Sequence, residues 1–519
     1  MTDELSRDLK DSAPADLEFA TIELANFIWA SDATSPFSKP QFDVPEINAD
    51  VKKYFKTSVR NLKNKSDDAS TLILPVLGQA GSGKTHLLRT LYQNAKESRG
   101  FFIFLDLSTL TATNDFYQTL AIDAYQALAR EIKGEREQVY TLLENVALHA
   151  GLSLSDFPEG NPKALEQAPL DAINQIAEKT HRGLFQKYRQ KAQETRDLLR
   201  ALFLLASSDH NVHHVASSVL QGTPALDGVD CGFSFNQKLN HLDIFARLTW
   251  LMSLNGSFTV LAIDQMDTIV GNYQNMRPPD GAPKSAEIIE HENIIRDLSV
   301  KMCEIVRHSV KTFTVASTIS DAWETLKRFG LHSSIDRFYE PLRLSPITDE
   351  GLLAKIVAQR MADAAERAGH KLPYPTWPFP PAFMKACAGS FPREVMMECA
   401  KHISYCRKLG RAKQWGEPDE PGVNPPDGDV TRPPITLPIQ ARYQELLQRK
   451  INPQWKNEKE EASFWRPALN AFIEAFSASL SLSDPASSLE INPAENRKDG
   501  LVCAQLRATR ESQTHELSL

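Results

Sequence analysis

The chain has 519 residues, a length that predicts about three domains. Its 42% hydrophobic and 24% charged content excludes wholesale disorder, a collagen repeat and a coiled-coil rod. With 58 Lys and Arg against 66 Asp and Glu, the net charge of −8 excludes a chain that coats nucleic acid non-specifically, because phosphate binding needs cations to displace counterions.

Met1 to Lys10 is acidic and polar, without the apolar stretch of a signal peptide. No run approaches the roughly 18 apolar residues of a membrane span, so a soluble, cytoplasmic protein with no membrane partner is expected. Cys231, Cys303, Cys387, Cys399, Cys406 and Cys503 form no C-x-x-C pair and read as free thiols.

In chain order, Leu17–Trp29 and Asp43–Lys63 read as helices, the second carrying Lys52, Lys53, Lys56, Arg60 and Lys63. Thr71–Leu77 is a continuous apolar run, the pattern of a strand buried on both faces. Pro75 is awkward there, because proline brings no N–H to a ladder. Further strands are expected at Phe101–Leu107, Phe258–Asp264, Thr312–Thr318 and Phe338–Leu344. Helical patterns separate them, which predicts a parallel α/β sheet. Between the second and third strands, Asp115–Lys133, Glu135–Ala150, Leu170–Leu205 and Leu239–Leu254 carry helical spacing, so a large helical insertion is expected. Residues 347–410 read as all-helical. A Pro- and Gly-rich linker follows at Trp415–Pro438, then helices at Gln440–Lys450 and Phe464–Leu480 and a strand near Leu501–Leu506.

The strongest chemical signal is Gly78-Gln79-Ala80-Gly81-Ser82-Gly83-Lys84-Thr85, a full G-x-x-x-x-G-K-[ST] loop between a strand and the amphipathic helix His86–Lys96. The glycines let backbone N–H groups wrap a phosphate chain, and the helix adds its positive end. These residues and His86 are the expected ATP contacts. Lys84 reaches the β- and γ-phosphates, and Thr85 ligates Mg²⁺. Asp264 ends an apolar strand and is the second expected Mg²⁺ ligand. Gln265 follows where many ATPases have Glu. It can position water but cannot take its proton. Asp267 is either a substitute base or a helix N-cap.

These residues resemble the AAA+ ATPases, in their origin-recognition-like and transposition-helper branches. Asp264–Asp267 also fits the D-x-h-D pattern of STAND-type signalling ATPases. The resemblance spans roughly residues 40–410 and implies three further landmarks. Among Ser317, Thr318 and Ser320, Thr318 corresponds to a γ-phosphate sensor, with Ser317 the alternative; either hydroxyl also suits a strand end or helix cap. Arg337, in Ser334-Ile335-Asp336-Arg337-Phe338, corresponds to an arginine finger offered in trans to a neighbouring subunit, or else pairs internally with Asp336 or Glu340. Arg393, in Gly389-Ser390-Phe391-Pro392-Arg393, corresponds to a second sensor reaching from a lid, with one residue more than the family's G-x-P-R.

The implied organisation is a polar segment (1–45), an AAA+ core in two parts (46–110 and 256–346) split by a helical insertion (111–255), an all-α lid (347–412), a linker (413–438) and a small C-terminal partner- or DNA-docking segment (439–519). The implied function is an oligomeric, Mg²⁺-dependent ATP hydrolase that engages nucleic acid or an effector protein, in phage defence or in mobile-element or genome maintenance. The alternatives are a STAND-like nucleotide-switched scaffold with little turnover, slow because of Gln265, and a nucleotide-stabilised structural subunit.

Three features stay outside this scheme. Asp209, His210, His213 and His214 have the spacing of metal ligands or of a surface helix end. Arg182, Lys187, Arg189, Lys191, Arg196 and Arg200 form a basic face for DNA or RNA, or a salt-bridged solvated face with Glu194 and Asp197. Glu474, Glu490, Glu495, Lys498 and Gln505 fit no nuclease motif cleanly, and partner docking is the expectation there.

Overall fold

A computed structural model describes residues 14–27, 37, 42–64, 71–109, 115–131, 137–223, 235, 239–270 and 285–418, with the backbone of three late strands over 488–518. Cys231, Cys503, most of the linker and the helices expected at Gln440–Lys450 and Phe464–Leu480 lie outside them. The chain divides into two units, Met1–Pro425 and Pro426–Leu519.

The first unit is built on five parallel strands: β1 (Ile73–Leu77), β2 (Phe101–Asp106), β3 (Thr259–Asp264), β4 (Thr312–Thr318) and β5 (Leu342–Arg343), in the order β2-β3-β4-β1-β5. β1, β3 and β4 are buried at every residue, which β1 and the Val260–Ile263 stretch of β3 show as unbroken apolar runs. Pro75 fits because of ladder parity. The Ile73 amide donates to Arg337, on the β5 side, and the Gly78 amide donates to Thr318, on the β4 side. Pro75 shares the parity of Ile73, so its missing donor faces the short edge strand, not β4. β5 is shorter than expected, a two-residue strand with an isolated Ile73–Phe338 bridge before it. Pro341 interrupts the pairing between them.

Helices α1 (Pro14–Leu24), α2 (Ala49–Asn64), α3 (Lys84–Glu97), α4 (Phe116–Ala129), α5 (Glu137–His149), α6 (Leu170–Lys187), α7 (Arg189–Leu205), α8 (His210–Leu220) and α9 (His241–Met252) precede β3. After it come α10 (Ala286–His308), α11 (Ser320–Phe329), α12 (His332–Ile335), α13 (Glu350–Ala368), α14 (Pro381–Ala386) and α15 (Pro392–Leu409). In α2, Val51, Phe55, Val59 and Leu62 form the inward stripe, and Phe55 meets Phe313 of β4 edge-on at 5.3 Å.

The Leu170–Leu205 pattern is not one helix. Tyr188, at φ −135° and ψ 65°, breaks it into the antiparallel pair α6 and α7. Apolar spacing continues through the break, so periodicity did not reveal it. The helices between β2 and β3 share one continuous apolar core with the sheet. A second core joins α13, α14 and α15 to Ile22 of α1, and to Phe27 and Val44. Cys303, Cys387, Cys399 and Cys406 are buried free thiols. Among the described residues no helix is long and apolar enough to cross a membrane.

In the second unit, β6 (Ser488–Pro493), β7 (Ala504–Arg510) and β8 (Gln513–Ser518) form an antiparallel sheet. Glu490 and Gln505 lie on its strands, and the strand expected at Leu501–Leu506 begins at Ala504.

Candidate functional site

The phosphate loop leaves the C-terminal end of β1. Gly81 and Gly83 hold left-handed φ values of 84° and 97°, which an L side chain adopts only at a cost. A Cβ on Gly78 would lie 2.2 Å from Ser82 Oγ. The loop therefore closes tightly enough to bury Ser82, whose hydroxyl has no hydrogen-bond partner among the described residues. α3 begins at Lys84 without a side-chain cap, leaving its first N–H groups for an anion. Lys84 Nζ donates to the carbonyls of Gly78 (2.7 Å) and Gln79 (3.3 Å). Burial lowers the pKa of its ammonium, and the Asp267 and Asp264 charges oppose that. An orphaned hydroxyl, uncapped amides and a lysine gathered on one glycine-rich loop fit a phosphate chain.

The His86 imidazole is engaged by Asp43. Its Nε2 lies 3.0 Å from Asp43 Oδ1, and Asp43 also holds Lys52 at 3.2 Å. The His86 hydrogen bond, with Lys52, keeps the Asp43 carboxyl below its ordinary range against the raising effect of burial. The imidazole thus anchors the segment before α2 to the loop helix.

Asp264 sits at the end of β3, buried, accepting hydrogen bonds from Ser317 Oγ and from the Gln265 amide at 2.9 Å. Desolvation pushes its carboxyl up, while Ser317, Gln265 and Lys84 pull it down. Gln265 is exposed and holds a left-handed φ of 59°, which folds its amide back onto Asp264. A helix follows over 266–270, so Asp267 lies inside the first turn and is not the N-cap. Thr318, fully buried, donates to Asp267 at 3.5 Å and gives its carbonyl to the Gly78 amide. The two candidate sensor hydroxyls therefore divide their work: Ser317 supports Asp264, and Thr318 supports Asp267.

Arg393 is brought to the loop from the other core. Its amide donates to Gly81 O at 3.3 Å, and a Cβ on Gly81 would come within 2.6 Å of Arg393 Cβ. Gly389, at φ 88°, supplies the turn that pairs Ile347 with Ser390 just before α15. That turn is the local role of the motif's glycine. We predict that Gly81→Ala costs about 1–2 kcal/mol for the left-handed backbone alone and separates Arg393 from the loop. A lower melting temperature with weakened ATP-analogue binding is the expected result.

Arg337 is not in this cluster. Its carbonyl accepts from Ile73, at the opposite end of β1 from the loop. Its side chain is exposed and forms no ion pair among the described residues, so the internal pairing with Asp336 or Glu340 is not made. The histidine group is also resolved. Asp209 caps α8 by accepting from Asn211 and Val212, and no group of three or more His, Cys, Asp or Glu among the described residues is placed to hold a metal.

Sequence reasoning missed Asp106 and Asp123. Asp106 ends β2 in register with Asp264, and the apolar run Phe101–Leu105 before it carried the signal that identified Asp264. Asp123 on α4 is pushed up to about 7 by burial and by the Asp106 charge, against a backbone hydrogen bond from Asp106 and the Arg130 charge. Native Asp123 thus keeps its proton where the unfolded chain has lost it, and stability falls as pH rises from about 4 to about 7. Asp123→Asn is expected to raise the melting temperature at pH 8, with the gain vanishing towards pH 4.

Neither the scan against protein-family models nor the search of curated proteins returns a match. Among solved structures the chain is similar to Cdc6p from Pyrobaculum aerophilum, with 10% identity and a TM-score of 0.34, over 73% of this chain and 67% of that one. The functional reading rests instead on the glycine loop, the strand-end carboxylates and Arg393 of a phosphate-loop α/β fold.

Proposed function

We propose that the protein is an AAA+-type ATPase that couples Mg-ATP binding and hydrolysis to self-assembly and to engagement of nucleic acid or an effector protein. The carrying observation is the convergence of Lys84, Asp264, Asp267 and Arg393 on one glycine loop. Lys84 and the loop amides bind the phosphates. Thr85 and Asp264 are the residues that would hold Mg²⁺, which supplies charge neutralisation on the phosphoryl oxygens. Asp267, steadied by Thr318, accepts the proton of the attacking water, and Gln265 orients that water. Arg393 stabilises charge on the transferring phosphoryl group from the lid side.

Arg337, solvent-facing and remote from its own loop, is free to act in a neighbouring subunit. Specific turnover should therefore rise with protein concentration. Arg337→Ala should lower it at least about 10-fold while leaving ATP binding intact. Steady-state turnover and mass photometry in ATP and in ADP make the test. A monomer with concentration-independent turnover, unaffected by Arg337→Ala, rejects the finger.

The exposed Gln265 in place of Glu favours one second reading, a STAND-like nucleotide switch. Nucleotide-dependent oligomers with negligible turnover would select it. A home in phage defence or in mobile-element or genome maintenance is fold-level analogy.

A further inference from the structure

We infer that the seam between α6 and α7 is a binding surface for the phosphodiester backbone of a nucleic acid. Residues 178–200 carry seven Lys or Arg against three Asp or Glu, in a chain whose net charge is −8. Of the three acids, Asp197 is buried, and Glu194 keeps its charge while accepting from the neutral Gln190 at 2.9 Å. Glu178 faces three guanidinium groups: Arg182 at 3.8 Å, Arg196 at 3.7 Å and Arg200 at 3.0 Å. One carboxylate cannot neutralise three cations.

The geometry separates their roles. Arg200 is 14% exposed, hydrogen-bonds Glu178 and locks the hairpin. Arg182 is 74% exposed and Arg196 38%, both beyond hydrogen-bond reach of the carboxylate. Arg196 Nε is buried without an acceptor among the described residues. Of the other cations nearby, Lys179 pairs with Asp156 at 3.8 Å, and two rest on neutral groups. Arg189 lies over the Phe185 ring at 5.7 Å, and Lys187 Nζ donates to the His149 carbonyl at 2.5 Å. From Arg189 to Arg200 the seam runs about 16 Å along α7, roughly five phosphate steps of one strand.

The surface suits a polynucleotide better than an acidic protein. None of the exposed large hydrophobics among the described residues (Leu154, Ile289, Leu331 and Met397) lies within α6 or α7, and protein interfaces need an apolar anchor. Phosphate binding needs only displaced counterions. The inference rests on the proposed ATPase reading only in that a nucleic-acid partner is engaged, and it assigns that engagement to the helices between β2 and β3.

The test uses the full chain, with fluorescein-labelled 20-base-pair DNA, a 20-nucleotide DNA strand and RNA of the same sequence, followed by anisotropy between 50 and 200 mM salt. The double variant Arg182→Gln/Arg196→Gln should weaken binding at least about 10-fold and flatten the log–log salt slope by nearly 2. Glu178→Gln should tighten it, a change of opposite sign that loss of fold would not produce. Melting curves confirm that each variant folds. The preferred oligonucleotide identifies duplex, single strand or RNA. Four outcomes overturn the inference: no binding by the wild type at 50 mM salt, an unchanged slope in the double variant, equal weakening by Glu178→Gln, or competition by polyglutamate as effective per charge as by polynucleotide. Lys84→Ala run in parallel should lose the ATP analogue but keep the oligonucleotide, so failure of one reading is distinguishable from failure of the other.

Discussion

Lys84→Ala should lower ATP affinity by more than about 100-fold, equivalent to about 3 kcal/mol, and abolish turnover. The ammonium is held on the loop by two carbonyl acceptors and faces Asp264 and Asp267, so it is already placed where phosphate oxygens must arrive. Removing it deletes a charge-assisted contact and leaves two acidic groups uncompensated beside a polyanion. The fold should survive, because alanine favours helices and Lys84 opens α3 without capping it. Titration with a fluorescent ATP analogue, next to a melting curve, checks both halves. An Ala variant that binds within threefold of wild type would remove the phosphate-site assignment.

Asp264→Asn should act in the opposite sense on stability while lowering turnover by more than about 100-fold. Asp264 is buried at the C-terminal end of β3, and desolvation raises its pKa despite Ser317, Gln265 and Lys84. The native protein therefore holds this proton to higher pH than the unfolded chain. Stability from this group falls as pH climbs past the usual carboxylate range towards the raised native value. Asparagine, neutral throughout, escapes that penalty and can still accept from Ser317. The variant should melt higher than wild type near pH 7, with the difference closing in acid, and it should bind nucleotide with lost Mg²⁺ dependence. A variant that melts lower at neutral pH and keeps its turnover would show that Asp264 serves the fold alone.

Local patterns carried much of this. β1, β3 and β4 are buried on both faces, β3 and β4 end on polar residues, and Asp264, Ser317 and Thr318 were all legible as strand-end groups. The loop from Gly78 to Thr85 was legible because its chemistry lies in eight consecutive residues. Asp106 had the same strand-end signature and was passed over, since only its register with Asp264 gives it meaning. The division of labour between Ser317 and Thr318 was hidden for a similar reason: neighbouring side chains on one strand point to different partners.

The sequence by itself determined the phosphate loop and the parallel α/β class, because each depends on spacing within a few turns of chain, while Arg393 was singled out only through a family resemblance whose spacing it does not match. Only the tertiary structure decided that Arg393 packs on Gly81 while Arg337 stands at the far end of β1, that His86 belongs to Asp43, and that Tyr188 folds one helical pattern into a hairpin around Glu178. Those outcomes depend on strand order and on which apolar faces bury each other, and such long-range burial leaves no periodic trace in the residues it joins.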